Sequence, residues 1–434
     1  MTNVTPEASQ DATVKPSRKR TSIKRPSSDA TRWHMSKDAV DRSVTDISKW
    51  TDLQCVRHMA EVRWGSFKRV VCPHCATGAE HYWSTRQMRW KCKSCGSSFS
   101  VTSQTVFAGR KMSLQKLLVA VHLWAAGASG KPALEVRRIL KFGGYNTGFV
   151  FFSKLREGLL RGFHTGLVSG VVEMDGAHAS GRRASEKRGR PLNKQYADEV
   201  EAARDDALLT TSAKQAARRK QRKEEALASG GVLHPEHGKV FPASRRITFT
   251  VRRRSSVAGK GAMLTRVGIG LTETPDVVQS LVDAYVVVPE SILATDTGSA
   301  FKKAGKKFQM HLEVNHSETL VGPEGQHNNN AESFSARQDR AEKGIYLNIE
   351  PKYLRDYATE TAFREDNRRT ATGAVGDRAL HHALNVGLSK YWRGFTHGHH
   401  RNFEFLHPSN QAAKASGPEK GQSPVSMMNG RAPR

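Results

Sequence analysis

Cysteine is scarce in this chain of 434 residues, which has five. That is too few for a secreted scaffold stapled by disulfides, and four of the five fall into two C-x-x-C pairs, a spacing that reads as metal binding in a reducing compartment. Long apolar runs are missing as well. No stretch of 18 apolar residues occurs and the N-terminus is polar, so the sequence offers neither a membrane span nor a secretory signal, and a cytoplasmic location is expected. Acidic residues are outnumbered, with 41 Asp and Glu against 69 Lys and Arg, a formal charge of +28. Such an excess points to a polyanionic partner, most simply nucleic acid. The length suits two to three domains with an ample core.

Residues 1–45 are rich in Ser, Thr, Lys, Arg and Asp and carry the basic knot RKRTSIKRP from Arg18 to Pro26. Too little apolar surface exists there to offset ordering entropy, so a disordered basic arm is expected. Ile47, Trp50, Leu53, Val56, Met59 and Val62 then recur at helical spacing. Cys55 on this helix reads as core filler. Cys72-Pro-His-Cys75 and Cys92-Lys-Ser-Cys95 follow, with 16 residues between the pairs, and match a zinc ribbon. Four thiolates around a structural Zn²⁺ supply folding energy to a segment too small for its own core. His74 and His81 are substitute ligands, but with four cysteines at hand they read as exposed. This helix and ribbon span 46–108.

Residues 109–165 read as helices. Ser113 caps LQKLLVAVHLWAA, Pro132 opens PALEVRRIL, and Asn146 caps TGFVFFSKLREGLL. Three helices with a Gly-containing turn before the last suggest a helix-turn-helix-like DNA-binding module, its last helix in the major groove. Phe149, Phe152, Leu155 and Leu159 would face the core, leaving Lys154 and Arg156 to reach DNA. The alternative is a plain helical connector.

Three acids stand in suggestive places. VVEMDG puts Asp175 at the end of a β-branched run, ILATDTG does the same for Asp296, and Glu332 opens the helical pattern AESFSARQDRAEKG, capped by Asn329 or Asn330. The 35 residues between Asp296 and Glu332 are a weak motif among 41 acids. Context carries more, because α/β sheets build sites at strand ends. Acids from two strands and a helix can bridge two Mg²⁺ ions for in-line chemistry at phosphorus. The elements read strand, strand, strand, helix, strand, helix, strand, helix, a ribonuclease H-like order over 166–396 that is interrupted by a charged helical insertion at 182–238. Gly, Ser, Pro, Asn and Lys dominate 397–434, where a disordered tail is expected. The fold class is therefore multidomain α/β: a ribonuclease H-like catalytic domain preceded by a zinc ribbon and a helix-turn-helix-like module.

Ordered motifs accumulate along the chain: the cysteine pairs at 72–95, FSVTSQTVF at 99–107, VVEMDGA, TDTGSAF around Asp296, VNHS at 314–317, HNNNAESF at 327–334 and YATETAFREDNRR at 357–369. With these the chain resembles the IS1595 family of insertion-sequence transposases, which carry an ISXO2-like transposase domain. The resemblance covers roughly residues 46–370. It implies DDE-type chemistry, with Asp175, Asp296 and Glu332 holding two Mg²⁺ ions, Mn²⁺ serving as a substitute. Water would cut a strand at the element's end, and the freed 3′-hydroxyl would attack target DNA. The implied partners are double-stranded DNA, as element ends and target site, and further copies of the chain in a homodimer or higher multimer. The implied place is the nucleoid. His327, in the H-x-N position, would position substrate or a metal ligand, with a structural hydrogen bond as the alternative. Two residues depart from the family pattern: Asp339 stands where lysine is usual, and Ser335 where an aromatic is usual. Arg337 and Arg340, flanking Asp339, and Arg368 are then the expected phosphate contacts. The alternative function is that of a catalytically impaired or repurposed DNA-binding protein.

Overall fold

The computed structural model describes residues 33–180, 245–257, 260–314, 327–347 and 349–406, with a few more between 220 and 241. The basic knot at 18–26, most of the 182–238 insertion, VNHS after Val314 and the tail beyond 406 lie outside the described residues. The N-terminal part opens with α1 (Val44–Ser48) and α2 (Asp52–Trp64), each started by a capping box, Ser43 with Asp46 and Thr51 with Gln54. Two small antiparallel sheets follow: β1 (Arg69–Val71) with β2 (Gly78–Glu80), then β3 (Tyr82–Ser84), β4 (Arg89–Lys91) and β5 (Ser98–Phe99). Next come α3 (Leu114–Ala126), α4 (Ala133–Leu140) and α5 (Tyr145–Gly162). Ser113 Oγ accepts from Lys116 N at 3.2 Å and so caps α3. Asn146 does not cap α5, which starts one residue earlier with Gly144 as its N-cap.

The remaining strands are β6 (Val168–Ser180), the short pair β7 (Val232–Leu233) and β8 (Val240–Phe241), β9 (Arg245–Arg254), β10 (Ala262–Gly270), β11 (Val286–Asp296) and β12 (His311–Val314). The helices among and after them are α6 (Pro275–Tyr285), α7 (Ser299–Gly305), α8 (Asn329–Ala341), α9 (Leu354–Asp366) and α10 (Thr372–Asn385). Five strands form one sheet in the order β10-β9-β6-β11-β12, antiparallel from β10 through β6 and parallel from β6 through β12. Alternation along β6 splits its side chains between two layers. Val172 and Met174 pack with Phe249, Val278, Leu281 and Phe301 under α6 and α7. The opposite face meets α8 and α9, where Val267, Ile269, Phe334, Ala358 and Ala362 share a core. Asp175 lies inside β6 and not at its end, because β6 runs on to Ser180 paired with β9 alone. Pairing of β6 with β11 stops at Glu173, beside Ala294.

Both ends of the chain share one core. Met59, Trp90, Phe99, Leu117, Trp124, Phe152 and Leu159 pack with Ala379, Leu380, Ala383 and Leu384 of α10. The approach of α5 to α10 is so close that a Cβ at Gly158 would lie 2.6 Å from Ala383 Cα. Helix α5 therefore runs through the middle of a bundle, against α4, α9 and α10. This overturns the assignment of Arg156 to DNA. Its side chain is 2% exposed, with Nε 2.6 Å from Glu360 Oε2 and the guanidinium 3.9 Å above the Tyr357 ring. Lys154 is half-buried.

Two expected disordered segments are ordered where they are described. Within 33–45, Asp41 accepts from Gly373 N and Ala374 N at the start of α10, and Arg42 reaches both oxygens of Asp377 at 3.1 and 2.9 Å. At the other end, Arg401 is buried against Asp356, Nη2 to Oδ2 at 2.6 Å, among Tyr353, Tyr391 and Phe405. Opposite charges and apolar stems docked on the helices supply what the local sequence lacks. No helix among the described residues is long and apolar enough to cross a membrane.

Candidate active site and metal centre

The two cysteine pairs sit in matching turns. Cys72 N donates to Thr77 O and Cys92 N to Ser97 O, while the residues after each second cysteine, Ala76 and Gly96, take positive φ. The turns bring all four Sγ atoms within 4.8 Å of one another, with Cys72 to Cys95 at 3.8 Å and Cys75 to Cys92 at 3.6 Å. Tetrahedral Zn²⁺ with bonds of about 2.3 Å needs sulfurs about 3.8 Å apart, so the set fits a structural zinc. Hydrogen bonding from Thr77 pulls the Cys75 thiol down to about 6 and Ser97 lowers that of Cys95, whereas burial pushes the Cys72 thiol up to about 11, so a bound cation would be needed to hold all four as thiolates. His81 is not exposed as expected. It is buried and bridges the two turns, its Nε2 3.1 Å from Thr77 O and its Nδ1 accepting from Lys93 N at 3.4 Å. His74 is exposed.

The three acids converge from three elements. The β6–β11 register places Ala294 beside Glu173, so Asp296 and Asp175, each two residues further on, stand on adjacent parallel strands at the same level. Glu332 stands in the first turn of α8 over the same face. Burial pushes the Asp175 carboxyl above its ordinary value, and the charges of Asp296 and Glu332 add to the rise. Ser335 Oγ, one turn after Glu332, donates to Asp175 Oδ2 at 2.9 Å and opposes it. Asp296 Oδ1 accepts from Gly298 N at 3.1 Å. Among the described residues no group of carboxylates gathers as tightly as the four sulfurs, and a pair of cations about 4 Å apart asks for a wider set. Hard oxygen donors in mutual repulsion fit Mg²⁺ or Mn²⁺.

Neither Asn329 nor Asn330 caps α8. Asn328 is the N-cap without a side-chain cap, and the buried Glu173 carboxylate takes over that task. It accepts from Asn330 N at 2.8 Å, Ala331 N at 3.2 Å and Asn330 Nδ2 at 2.7 Å. Arg254 Nε completes it at 2.8 Å. Arg254 Nη2 also donates to His327 O at 2.7 Å and lies 3.3 Å from His327 Nδ1. Burial and the Arg254 charge lower the His327 pKa. Glu173, whose Oε1 lies 3.5 Å from Nδ1, opposes them; in the neutral ring that accepts from Arg254 at Nδ1, Nε2 carries the proton.

Glu273, on the turn between β10 and α6, is a fourth acid that sequence reasoning missed. A Cβ at Gly176 would lie 3.1 Å from Glu273 Oε2. Burial, then Asp296 and Asp175, push this carboxyl up to about 7. The signal for it was Gly176 itself, a missing side chain next to a candidate acid. On the side of α8 that meets α9, Arg337 pairs with Glu365, whose Oε2 is also 3.4 Å from Arg368 Nη1 and 3.7 Å from Arg252 Nη2. Burial and repulsion from Arg368, Arg252 and Arg340 lower Arg337 to about 10. Arg340 is exposed on the same helix.

Residues 167–366 match the family model of the ISXO2-like transposase domain, and residues 50–98 match that of the transposase zinc-ribbon domain. No curated protein and no solved structure matches the chain.

Proposed function

Since the chain belongs to the IS1595 family of transposases, we propose that it binds the ends of an insertion sequence and cuts and joins DNA at Asp175, Asp296 and Glu332. The observation that carries this reading is the meeting of the three acids from β6, β11 and α8, close enough for Asp296 and Glu332 to raise Asp175. The sheet order, three antiparallel strands continued by two parallel ones with helices on both faces, supports a ribonuclease H-like catalytic domain. Two Mg²⁺ ions on these acids would activate the attacking oxygen and stabilise the leaving one. The chain's own groups do the rest. Ser335 orients Asp175, and the His327 Nε2–H donates to a non-bridging phosphate oxygen or to the attacking water. Arg337, Arg340 and Arg368 take backbone phosphates, which the excess of guanidinium over the Glu365 carboxylate supports. Arg156 drops out of the interface.

In the first step water attacks phosphorus and the 3′-oxygen leaves; in the second, the freed 3′-hydroxyl attacks the target phosphodiester and displaces its 3′-oxygen. Double-stranded DNA as partner, a homodimer or higher multimer bridging two ends, and a place in the cytoplasm at the nucleoid belong to the same reading. The test is strand transfer with the full chain, Mg²⁺ and element-end DNA, comparing wild type with Asp296→Ala and Glu332→Gln. Joining that is lost in both variants is the expected result. DNA binding without any cleavage by the wild type would overturn it in favour of a repurposed DNA-binding protein. One observation favours that second reading: Asp339, where the family has lysine, lies 2.7 Å from Lys343 Nζ and lines a cavity of about 250 Å³ beside Ser335.

A further inference from the structure

Glu173 and Asp175 lie two residues apart on one face of β6, so alternation points both toward α8. Glu173 is fully buried, and each partner of its carboxylate belongs to a different part of the site. Asn330 and Ala331 donate from the turn that immediately precedes Glu332, and Arg254 donates from β9. A second strut from β9 runs from Arg252 Nη1 to Asn330 O at 2.8 Å. We propose that Glu173, held by Arg254, is a positioning residue that fixes the Asp175–Glu332 separation and thereby sets the site's affinity for divalent cations. The proposal rests on the reading of Asp175, Asp296 and Glu332 as a metal centre.

The physical case is one of repulsion and restraint. Negative charges on β6, β11 and α8 repel one another, and without a tie the helix turn that carries Glu332 would relax away from the sheet. A buried carboxylate with four donors is costly to disturb, because each donor and the Arg254 charge would be stranded. Such a tie keeps the acids in place before the cation arrives, which is what a supporting shell around a metal site does. The same guanidinium holds His327 by its carbonyl oxygen, so the whole segment 327–332 is referenced to β6 and β9.

Glu173→Gln tests this with little change of volume. One oxygen still accepts from the helix amides, but the new NH₂ faces the Arg254 and Asn330 donors. The full zinc-loaded chain is titrated with Mn²⁺ as the probe, and amide hydrogen exchange is followed in parallel. The expected result is a dissociation constant for Mn²⁺ raised about tenfold or more, together with faster exchange at 330–334 and unchanged exchange in β9. Glu404→Gln, which removes the carboxylate charge that pairs with Arg246 at the far end of β9, serves as the purely structural control and should leave Mn²⁺ affinity alone. Should Glu173→Gln fail to fold, Arg254→Lys keeps the charge and loses the fork, and a smaller shift in the same direction is expected. Mn²⁺ affinity in the folded variant equal to wild type would overturn the proposal alone. A wild type that binds no Mn²⁺ beyond what Asp296→Ala and Glu332→Gln bind would overturn the metal-centre reading and the proposal with it.

Discussion

Replacing Glu273 by glutamine should stabilise the protein at alkaline pH when no Mg²⁺ is present. Burial first, then Asp296 and Asp175, raise the carboxyl from 4.5 to about 7. The folded state thus holds this proton more tightly than the unfolded chain does, and stability falls as pH rises from about 4.5 to about 7, with the full penalty above. At 1.36 kcal/mol per unit the shift corresponds to about 3 kcal/mol; partial exposure reduces it to about 1–2 kcal/mol. For a domain of roughly 200 residues, each kcal/mol moves Tm by about 2–4 °C. Glu273→Gln should therefore raise Tm by about 2–8 °C at pH 8 and hardly at all near pH 4.5. Melting curves of zinc-loaded protein without chelator, which would strip the ribbon, give the comparison. Asp175, also raised, adds a pH dependence that the variant keeps. Mg²⁺ should narrow the gap, because a cation rewards the ionised carboxylate that glutamine lacks. Wild type and variant losing stability in parallel between pH 5 and 8 would refute the placement of Glu273 among the acids.

Arg156→Met should destabilise the fold by about 3 kcal/mol, since Glu360 keeps only Arg364 and Tyr346. DNA affinity of the folded variant, measured by fluorescence anisotropy, should stay at the wild-type value; a fall in its salt slope would return Arg156 to the interface. Arg337→Ala and Arg340→Ala should each flatten the plot of log affinity against log salt by about 0.9, the release expected for one phosphate contact. Removing zinc, by chelation or by Cys92→Ser, should disrupt the packing of Trp64, Trp90 and Phe99, seen as lost near-ultraviolet circular dichroism and a lower Tm.

What could be read from the sequence was what local rules fix. Zinc geometry imposes the C-x-x-C spacing, so the ribbon was visible in four residues. Ser113 and Pro132 mark helix starts because the first turn needs an acceptor or lacks a donor requirement, and α3 and α4 begin there. Asp175 and Asp296 stood out because each follows an apolar run that only a buried strand explains. The reading failed where a distant segment changes what a residue means. A charged residue on an amphipathic helix normally faces water, and Arg156 was read that way; its partner Glu360 is 204 residues further along. The same holds for Asp41 and Arg42, which look like part of a polar arm until α10 returns to meet them.

Glu173 marks a subtler boundary, because its role was within reach of pattern alone. In a strand with Val172 and Met174 on the core face, positions 173 and 175 must share the other face, so a second acid was already beside Asp175. A buried and a half-buried carboxylate on one face cannot both lie idle. One must find donors and the other a cation or a proton. The structure divides the tasks by partner: Glu173 takes two helix amides, an Asn330 side-chain amide and Arg254, whereas Asp175 has the Ser335 hydroxyl and the Gly176 amide, with Asp296, Glu332 and Glu273 as negative neighbours. An acid saturated by donors has nothing left to offer a metal, and an acid pressed by like charges has much to gain from one. On the proposed reading, the donor count around each carboxylate, which no single sequence prints, therefore separates the residue that would hold the site from the residue that would work in it.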